Sequence, residues 1–218
     1  VAGDIIEYLF PEDSCATIPI VSVTGTNGKT TVSRLVAHTL KLSGKVVGLA
    51  SSSGTYIDGE CICEGDNTGA VSASSLLWDK RVEALVLETA RGGIIKKGLG
   101  YDLADVGVIV NVSDDHLGID GIETLEELAK VKSLVVEAVK KDGVAVLNAD
   151  DAMTPFFLKR ISARPLLFSV DCRNRLVTEH IESGFEAVFL KDGNIVRAGK
   201  GVEKIIASID EIPITFGG

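Results

Sequence analysis

A chain of 218 residues holds one large domain, or one domain and a fragment, and excludes a multidomain assembly within these residues. Glycine at 23 positions, with 45% hydrophobic but only 5% aromatic residues, favours a turn-rich aliphatic α/β core over disorder or a coiled coil. With 31 acidic against 22 basic residues the net charge is −9, which excludes a broad basic footprint for nucleic acid or an anionic membrane; a phosphate ligand must be held locally.

Residues 1–17 read as a lead-in, and an opening Val in place of Met suggests a piece cut from a longer protein. The apolar strand Ile20 to Val23 then runs into GTNGKTT, residues Gly25, Thr26, Asn27, Gly28, Lys29, Thr30 and Thr31. A helix follows, with Val32, Leu35, Val36 and Leu40 along one face. Strand, Gly-rich turn and helix together aim backbone N–H groups at a phosphate, and the helix dipole adds attraction. Lys29 is placed to neutralise β- and γ-phosphate charge, and the Thr30 hydroxyl to ligate Mg²⁺. A standard P-loop has another glycine five positions before Gly28, where this chain has Val23, so the loop is a variant. The competing reading is a tight turn with a solvated Lys. His38, in the following helix, reads as packing or surface.

KVVGLAS predicts the next strand, and Cys61 and Cys63 lie on one face of a further strand, expected to pack rather than bind metal. None of the four cysteines, which include Cys15 and Cys172, has CxxC spacing, so a reducing cytoplasm is expected. EALVLET delivers Glu88 at the C-terminal end of an apolar strand, the edge of a parallel sheet where ligands collect, and a carboxylate there can hold Mg²⁺. Arg91, Gly92 and Gly93 follow, either as substrate contacts or as a turn. DVGVIVNV emerges into Asn111, Asp114, Asp115 and His116 at the same edge, where neutral imidazole beside carboxylates suits a divalent metal.

The period of the next segment predicts a helix from about Glu123 to Lys141. Leu125, Leu128, Val131, Val135, Val136 and Val139 share one arc, with Glu126, Glu127, Lys130, Glu137 and Lys141 opposite. Lys132 falls in the apolar arc, so its amine must be paired, deprotonated, modified or snorkelled, whereas Lys130 pairs with Glu126 on the wet face. GVAVL closes the alternation of strands and helices that began at Ile18, which predicts a mostly parallel sheet covered by helices. After about Pro165, LLFSV, LVTEHI with His180, FEAVFL and NIVRAG read as a small antiparallel sheet over 165–218, with a KDGN turn joining the last two. No apolar run is long enough to span a membrane and no signal peptide is recognisable, so a cytoplasmic location is expected.

GTNGKTT, Glu88, NVSDDHLG, the Lys of ELAKVKSLV and VLNADD occur in the order found in the Mur ligase superfamily, which includes the folylpolyglutamate synthases. IPIVSVTGTNGKTT, GDNTG, LETARGGIIKKGLGYD and PITFGG narrow the resemblance, across nearly the whole chain, to the Mur-ligase-like portion of the cyanophycin synthetase family. The resemblance implies a central ATP-binding domain lacking its N- and C-terminal ligase domains and forming part of a larger, oligomeric synthetase. The implied reaction is ATP-dependent amide formation through an acyl-phosphate, with a carboxylate acceptor and an amino acid as substrates. In that family Arg is joined to the β-carboxylate of polyaspartate; no residue here independently selects Arg.

By similarity, Thr30 and Glu88 share one Mg²⁺, and Glu88, His116 and a carbamylated Lys132 hold a second. His116 to Lys132 spans 16 positions, near the family spacing. Thr68 resembles a residue of the loop that approaches metal and acceptor, and Asn148 one near adenine. Rival readings are another Mur-type ligase with a different acid and amine, a non-catalytic ATP-binding module, and a GTPase-type switch. The last needs NKxD, and Asn148–Asp151 lacks the Lys.

Overall fold

The computed structural model describes residue 8, residues 17–114, residue 118 and residues 121–212. Among these, eleven strands form one sheet in the order β11-β10-β9-β8-β7-β6-β1-β5-β2-β3-β4. They are β1 (Ile20–Thr24), β2 (Val47–Ser51), β3 (Gly54–Ile57), β4 (Glu60–Glu64), β5 (Ala84–Glu88), β6 (Ala104–Ile109), β7 (Val139–Asn148), β8 (Arg164–Ser169), β9 (Glu186–Lys191), β10 (Asn194–Gly199) and β11 (Val202–Ser208). The helices are α1 (Lys29–Leu42), α2 (Ala70–Leu77), α3 (Arg91–Lys97), α4 (Leu125–Glu137), α5 (Thr154–Leu158) and α6 (Arg175–Glu182).

From β9 through β8, β7, β6, β1 and β5 to β2, neighbouring strands run parallel, and antiparallel hairpins finish both edges. β5 shows why the centre is parallel: all five residues of ALVLE are buried, the near-continuous apolar run of a strand covered on both faces. Leu85 and Leu87 pack with Leu76 and Val82, while Val86 packs on the opposite side with Ala37, Val47 and Leu49. A larger cluster around Ile109, Leu128, Val136, Leu147 and Phe157 holds α4 to the other half of the sheet.

The position of α4 matters most for the site. It starts at a capping box in which the Thr124 hydroxyl accepts from the Glu127 N–H at 3.2 Å and the Glu127 carboxylate accepts from the Thr124 N–H at 3.1 Å. Its backbone then lies directly on β6 over Gly107, where a Cβ would sit 2.6 Å from the Val135 carbonyl oxygen. No side chain fits there. The helix ends at Glu137, earlier than its hydrophobic period indicates, because Val139 leaves the helical arc to pair with Ala104 as the first residue of β7.

The C-terminal part keeps its antiparallel character only from β9 onward. LLFSV forms β8 parallel to β7, and LVTEHI, read as a strand, is the crossover helix α6 that returns the chain to β9 parallel to β8. The deciding residue is Asn174, whose side chain accepts from the N–H groups of Leu176 and Val177 and caps the helix. The antiparallel strands therefore extend the main sheet and do not form a separate one; the KDGN turn joins β9 to β10 as expected. His180 packs, as expected, with its ring stacked 4.9 Å from Phe185 and its pKa lowered by burial. His38 is exposed.

Two packing expectations are corrected. Cys61 and Cys63 are exposed, because β4 is an edge strand with every residue exposed. Leu35 is 46% exposed, because α1 sits on the sheet through Ser33 and Ala37, with Val36 and Leu40 beside them.

Candidate active site

Four adjacent parallel strands, β6, β1, β5 and β2, end at the same edge and each delivers polar groups there. β1 continues into the Gly-rich loop. Gly28, at φ 81°, is the N-cap of α1, a left-handed conformation that favours glycine. No side chain caps this helix and its first turn carries no acid, so its N-terminal amides and dipole are left to an anionic ligand. The Lys29 ammonium curls back to donate to the Thr26 carbonyl at 2.9 Å, which keeps its charge over the loop.

Asn111, at the end of β6, shapes the loop from the other side. Its Oδ1 accepts from the N–H groups of Thr26 at 3.1 Å and Asn27 at 2.9 Å, and its Nδ2 donates to the Asn27 carbonyl at 3.2 Å. Thr31 is exposed.

Glu88, at the end of β5, is 3% exposed and faces the first turn of α1. The Thr30 hydroxyl donates to Glu88 Oε1 at 3.0 Å and lies 3.0 Å from the Ser52 hydroxyl, while the Ser52 N–H donates to Glu88 Oε2 at 2.9 Å. Thr30, Ser52 and Glu88 form a compact set of hard oxygen donors of the type Mg²⁺ takes, so the residues present fit such an ion. Thr68 shares a narrow crevice with Glu88, and its hydroxyl donates to Asp66 Oδ1 at 2.7 Å. Among the described residues no group of three or more His, Cys, Asp or Glu side chains is placed to hold a metal; His116 and Asp115 lie outside the described residues.

Lys132 is 3% exposed and Lys130 is exposed, as the helical period requires. Lys132 lines a cavity of about 220 Å³ together with Gly25, Thr26, Lys29, Arg91 and Gly92. Burial lowers its pKa to about 7, with further lowering from the Lys29 and Arg91 charges and a smaller opposing pull from Asp151. A substantial fraction of this amine is therefore neutral near pH 7.

Asn148 sits at the same sheet edge, but both ends of its amide are engaged: Nδ2 donates to the Val110 carbonyl at 3.0 Å and Oδ1 accepts from the Asp150 N–H at 2.9 Å. The structure thus brings Thr30 and Glu88 together, and groups Lys29 with Lys132. It adds Ser52, and it assigns Asn111 a specific task. Ser52 could not be found from the chain alone, because it depends on β2 lying beside β5.

Fold and loop together define an α/β domain with a Gly-rich, P-loop-like turn between β1 and α1. Residues 23–195 match the Mur ligase middle domain, and the chain belongs to that family. It is 46% identical over 218 residues to cyanophycin synthetase of Nostoc sp. strain PCC 7120, covering 100% of this chain and 24% of that protein. The Synechocystis sp. strain PCC 6803 cyanophycin synthetase is 43% identical over 219 residues, with 100% and 25% covered. A UDP-N-acetylmuramoyl-L-alanyl-D-glutamate–2,6-diaminopimelate ligase of Chlamydia caviae is 29% identical over 191 residues, 84% of this chain and 38% of that one.

The chain spans about a quarter of the length of the cyanophycin synthetases it matches. Among solved structures, a UDP-N-acetylmuramoyl-L-alanyl-D-glutamate–2,6-diaminopimelate ligase aligns at TM-score 0.68 and 23% identity, covering 94% of this chain and 41% of that one. A bifunctional folylpolyglutamate synthase/dihydrofolate synthase with Mn, AMPPNP and L-glutamate bound aligns at 0.59 and 18%, covering 87% and 48%. Both show the fold. No helix among the described residues is long and apolar enough to cross a membrane.

Proposed function

We propose that the chain is the central ATP-binding domain of a cyanophycin synthetase-like ligase, a larger and oligomeric cytoplasmic enzyme that joins Arg to the β-carboxylate of polyaspartate. The observation that supports this best is the meeting of Thr30 and Glu88 at 3.0 Å beside a cavity lined by Lys29 and Lys132, at the sheet edge where β1 and β5 end. The identity over the whole chain to cyanophycin synthetases supports the substrate pair.

A carboxylate is a poor electrophile until one of its own oxygens attacks the γ-phosphorus of ATP and ADP leaves; the neutral amine then attacks the acyl carbon, phosphate leaves with the bonding pair, and the nitrogen gives up one proton to solvent or phosphate. In this scheme the uncapped first turn of α1 and the Lys29 ammonium seat the β- and γ-phosphates. Thr26, Asn27 and Gly28 wrap them, Gly25 leads into the loop and Thr31 closes it. Asn111 holds the loop in shape before ATP arrives, and Asn148 would lie toward the adenine. Thr30 and Glu88 would hold one Mg²⁺, with Ser52 orienting the carboxylate. Glu88, His116 and a carbamylated Lys132 would hold a second, with Thr68 beside it. Bound Mg²⁺ supplies the positive charge that lets two anionic substrates meet.

Lys132 suits carbamylation because its amine is largely desolvated. The neutral nitrogen bonds to the carbon of CO₂ and releases one proton to solvent, leaving a carbamate whose oxygens are hard ligands.

The test is phosphate release by the full-length protein, screened over amino acids and carboxylate acceptors. Release that requires both an acceptor and one amino acid supports the ligase. ATP binding without such release makes the domain a non-catalytic module. Lys132→Ala should lose activity and regain part of it with added formate, acetate or bicarbonate.

A further inference from the structure

The β2–β3 hairpin closes through Ser52 and Ser53, because Ser51 pairs with Gly54. Hairpin loops this short favour residues at positive φ, whose turn twist matches that of the strands. Neither serine has a positive φ. Both are also exposed, so the loop backbone does not by itself fix the place of Ser52, whose N–H is the donor to Glu88 Oε2.

The turn is held from α1 and β3. Arg34 stands one helical turn after Thr30 on the same face of α1. Thr30 Oγ1 lies 3.0 Å from the Ser52 hydroxyl and Arg34 Nη2 donates to the Ser53 hydroxyl at 2.7 Å, so one helix grips both residues of the turn. Tyr56 on β3 completes the grip: its hydroxyl donates to the Ser53 carbonyl at 3.1 Å, and the Arg34 guanidinium lies 6.0 Å over its ring.

The direction of these bonds follows from the groups that make them. A guanidinium only donates, so the Ser53 hydroxyl accepts from it and gives its own proton to Ser51 Oγ at 2.9 Å; the Ser51 hydroxyl then donates to the Gly54 carbonyl at 3.1 Å. Arg34 is therefore the donor that starts the chain. At the far side of the turn Glu88 is 3% exposed, and a turn that drifts leaves a buried carboxylate oxygen without the Ser52 N–H.

We propose that Arg34 and Tyr56 are positioning residues, which hold the β2–β3 turn where Ser52 fixes the Glu88 carboxylate for a divalent cation. That this cation serves ATP turnover rests on the ligase reading above; the clamp itself does not.

Amide exchange of the full-length protein without nucleotide, followed by mass spectrometry over residues 47–57, reads the clamp directly. Arg34→Met keeps most of the side chain's length and removes its donors; it should speed exchange of the turn about tenfold, as expected for loss of a charge-assisted hydrogen bond. Arg34→Lys should recover part of the protection, and the charge control Lys45→Met, beyond the end of α1, should leave it unchanged. In a Ser53→Ala background, which already lacks the acceptor, Arg34→Met should add less than about twofold. Mn²⁺ binding, measured by electron paramagnetic resonance, should weaken about tenfold in Arg34→Met, with nucleotide affinity in EDTA within about twofold. If Arg34→Met does not give a cooperative melt, Tyr56→Phe carries both measurements, with smaller changes in the same direction. Unchanged exchange, or an equal effect of Arg34→Met with and without the Ser53 hydroxyl, overturns the clamp. Faster exchange with unchanged Mn²⁺ affinity makes the clamp purely structural and overturns the positioning role. If the wild type binds Mn²⁺ but releases no phosphate with any acceptor, the ligase reading falls and the clamp stands.

Discussion

Replacing Lys132 by Met should stabilise the protein, and by an amount that depends on pH as expected for a desolvated amine whose pKa burial has lowered. An unfolded lysine titrates near 10.5, whereas burial brings Lys132 to about 7 in the fold. The folded state therefore binds fewer protons, and the penalty is complete below pH 7, shrinks between 7 and 10.5, and vanishes above. At 1.36 kcal/mol per pH unit, the 3.5-unit gap corresponds to about 5 kcal/mol at pH 6 and about 2 kcal/mol at pH 9, upper bounds that water entering the cavity reduces. Met has a similar length, fills the space beside Leu128 and carries no charge. Urea unfolding of wild type and Lys132→Met, in CO₂-free buffer at pH 6, 7.5 and 9, gives the comparison directly. The variant should be the more stable at pH 6, with its advantage falling toward pH 9. A destabilised variant, or an advantage that does not change with pH, would mean that the ammonium is charged and paired in the fold.

Lys29→Ala should abolish ATP turnover, lowering it at least about a hundredfold, with an unchanged melting temperature, because it removes a phosphate charge from the loop surface and no core contact. Glu88→Gln, nearly isosteric, should weaken Mg²⁺-dependent activity more than Mg²⁺-free nucleotide binding; an equal loss of both in titration calorimetry would make Glu88 structural. Gly107→Val should cost about 3 kcal/mol or more in urea unfolding, since its side chain would drive α4 off β6. Lys130→Ala should leave both stability and turnover within about 0.5 kcal/mol and twofold, as a solvated surface position.

How far the fold was legible follows from which interactions decide each element. β5 announces itself because ALVLE is apolar throughout and ends on an acid, and α4 because its apolar arc repeats over three turns. The tail misled because LVTEHI is short and rich in β-branched residues, so its composition reads as strand. Its structure is set by one residue outside the segment, Asn174, whose side chain offers the helix its first hydrogen bonds. The end of α4 misled for a related reason: Val139 satisfies the helical arc and the strand register equally well, and pairing with Ala104 wins because it completes the sheet. Burial misled at Cys61 and Cys63 because alternation marks a face but does not say whether anything covers it.

The candidate site divides along the same line. Glu88 was legible because it sits where a strand ends, and Lys29 and Thr30 because they open the helix that follows the loop leaving β1; the chemistry of a strand end in a parallel sheet can be reasoned from one strand at a time. Lys132 was legible because a cation inside an apolar arc is an anomaly in sequence and stays one in the fold. Ser52 was invisible, since its contact with Glu88 depends on β2 being the neighbour of β5, an order that no local pattern encodes. Asn111 was seen as part of a polar cluster, but its task is non-local: it bridges to Thr26 and Asn27 across more than eighty residues. Gly92 and Gly93 look alike in sequence, and only the fold separates them: a Cβ at Gly93 would lie 2.8 Å from the Thr68 carbonyl oxygen, whereas one at Gly92 would meet nothing within 4 Å.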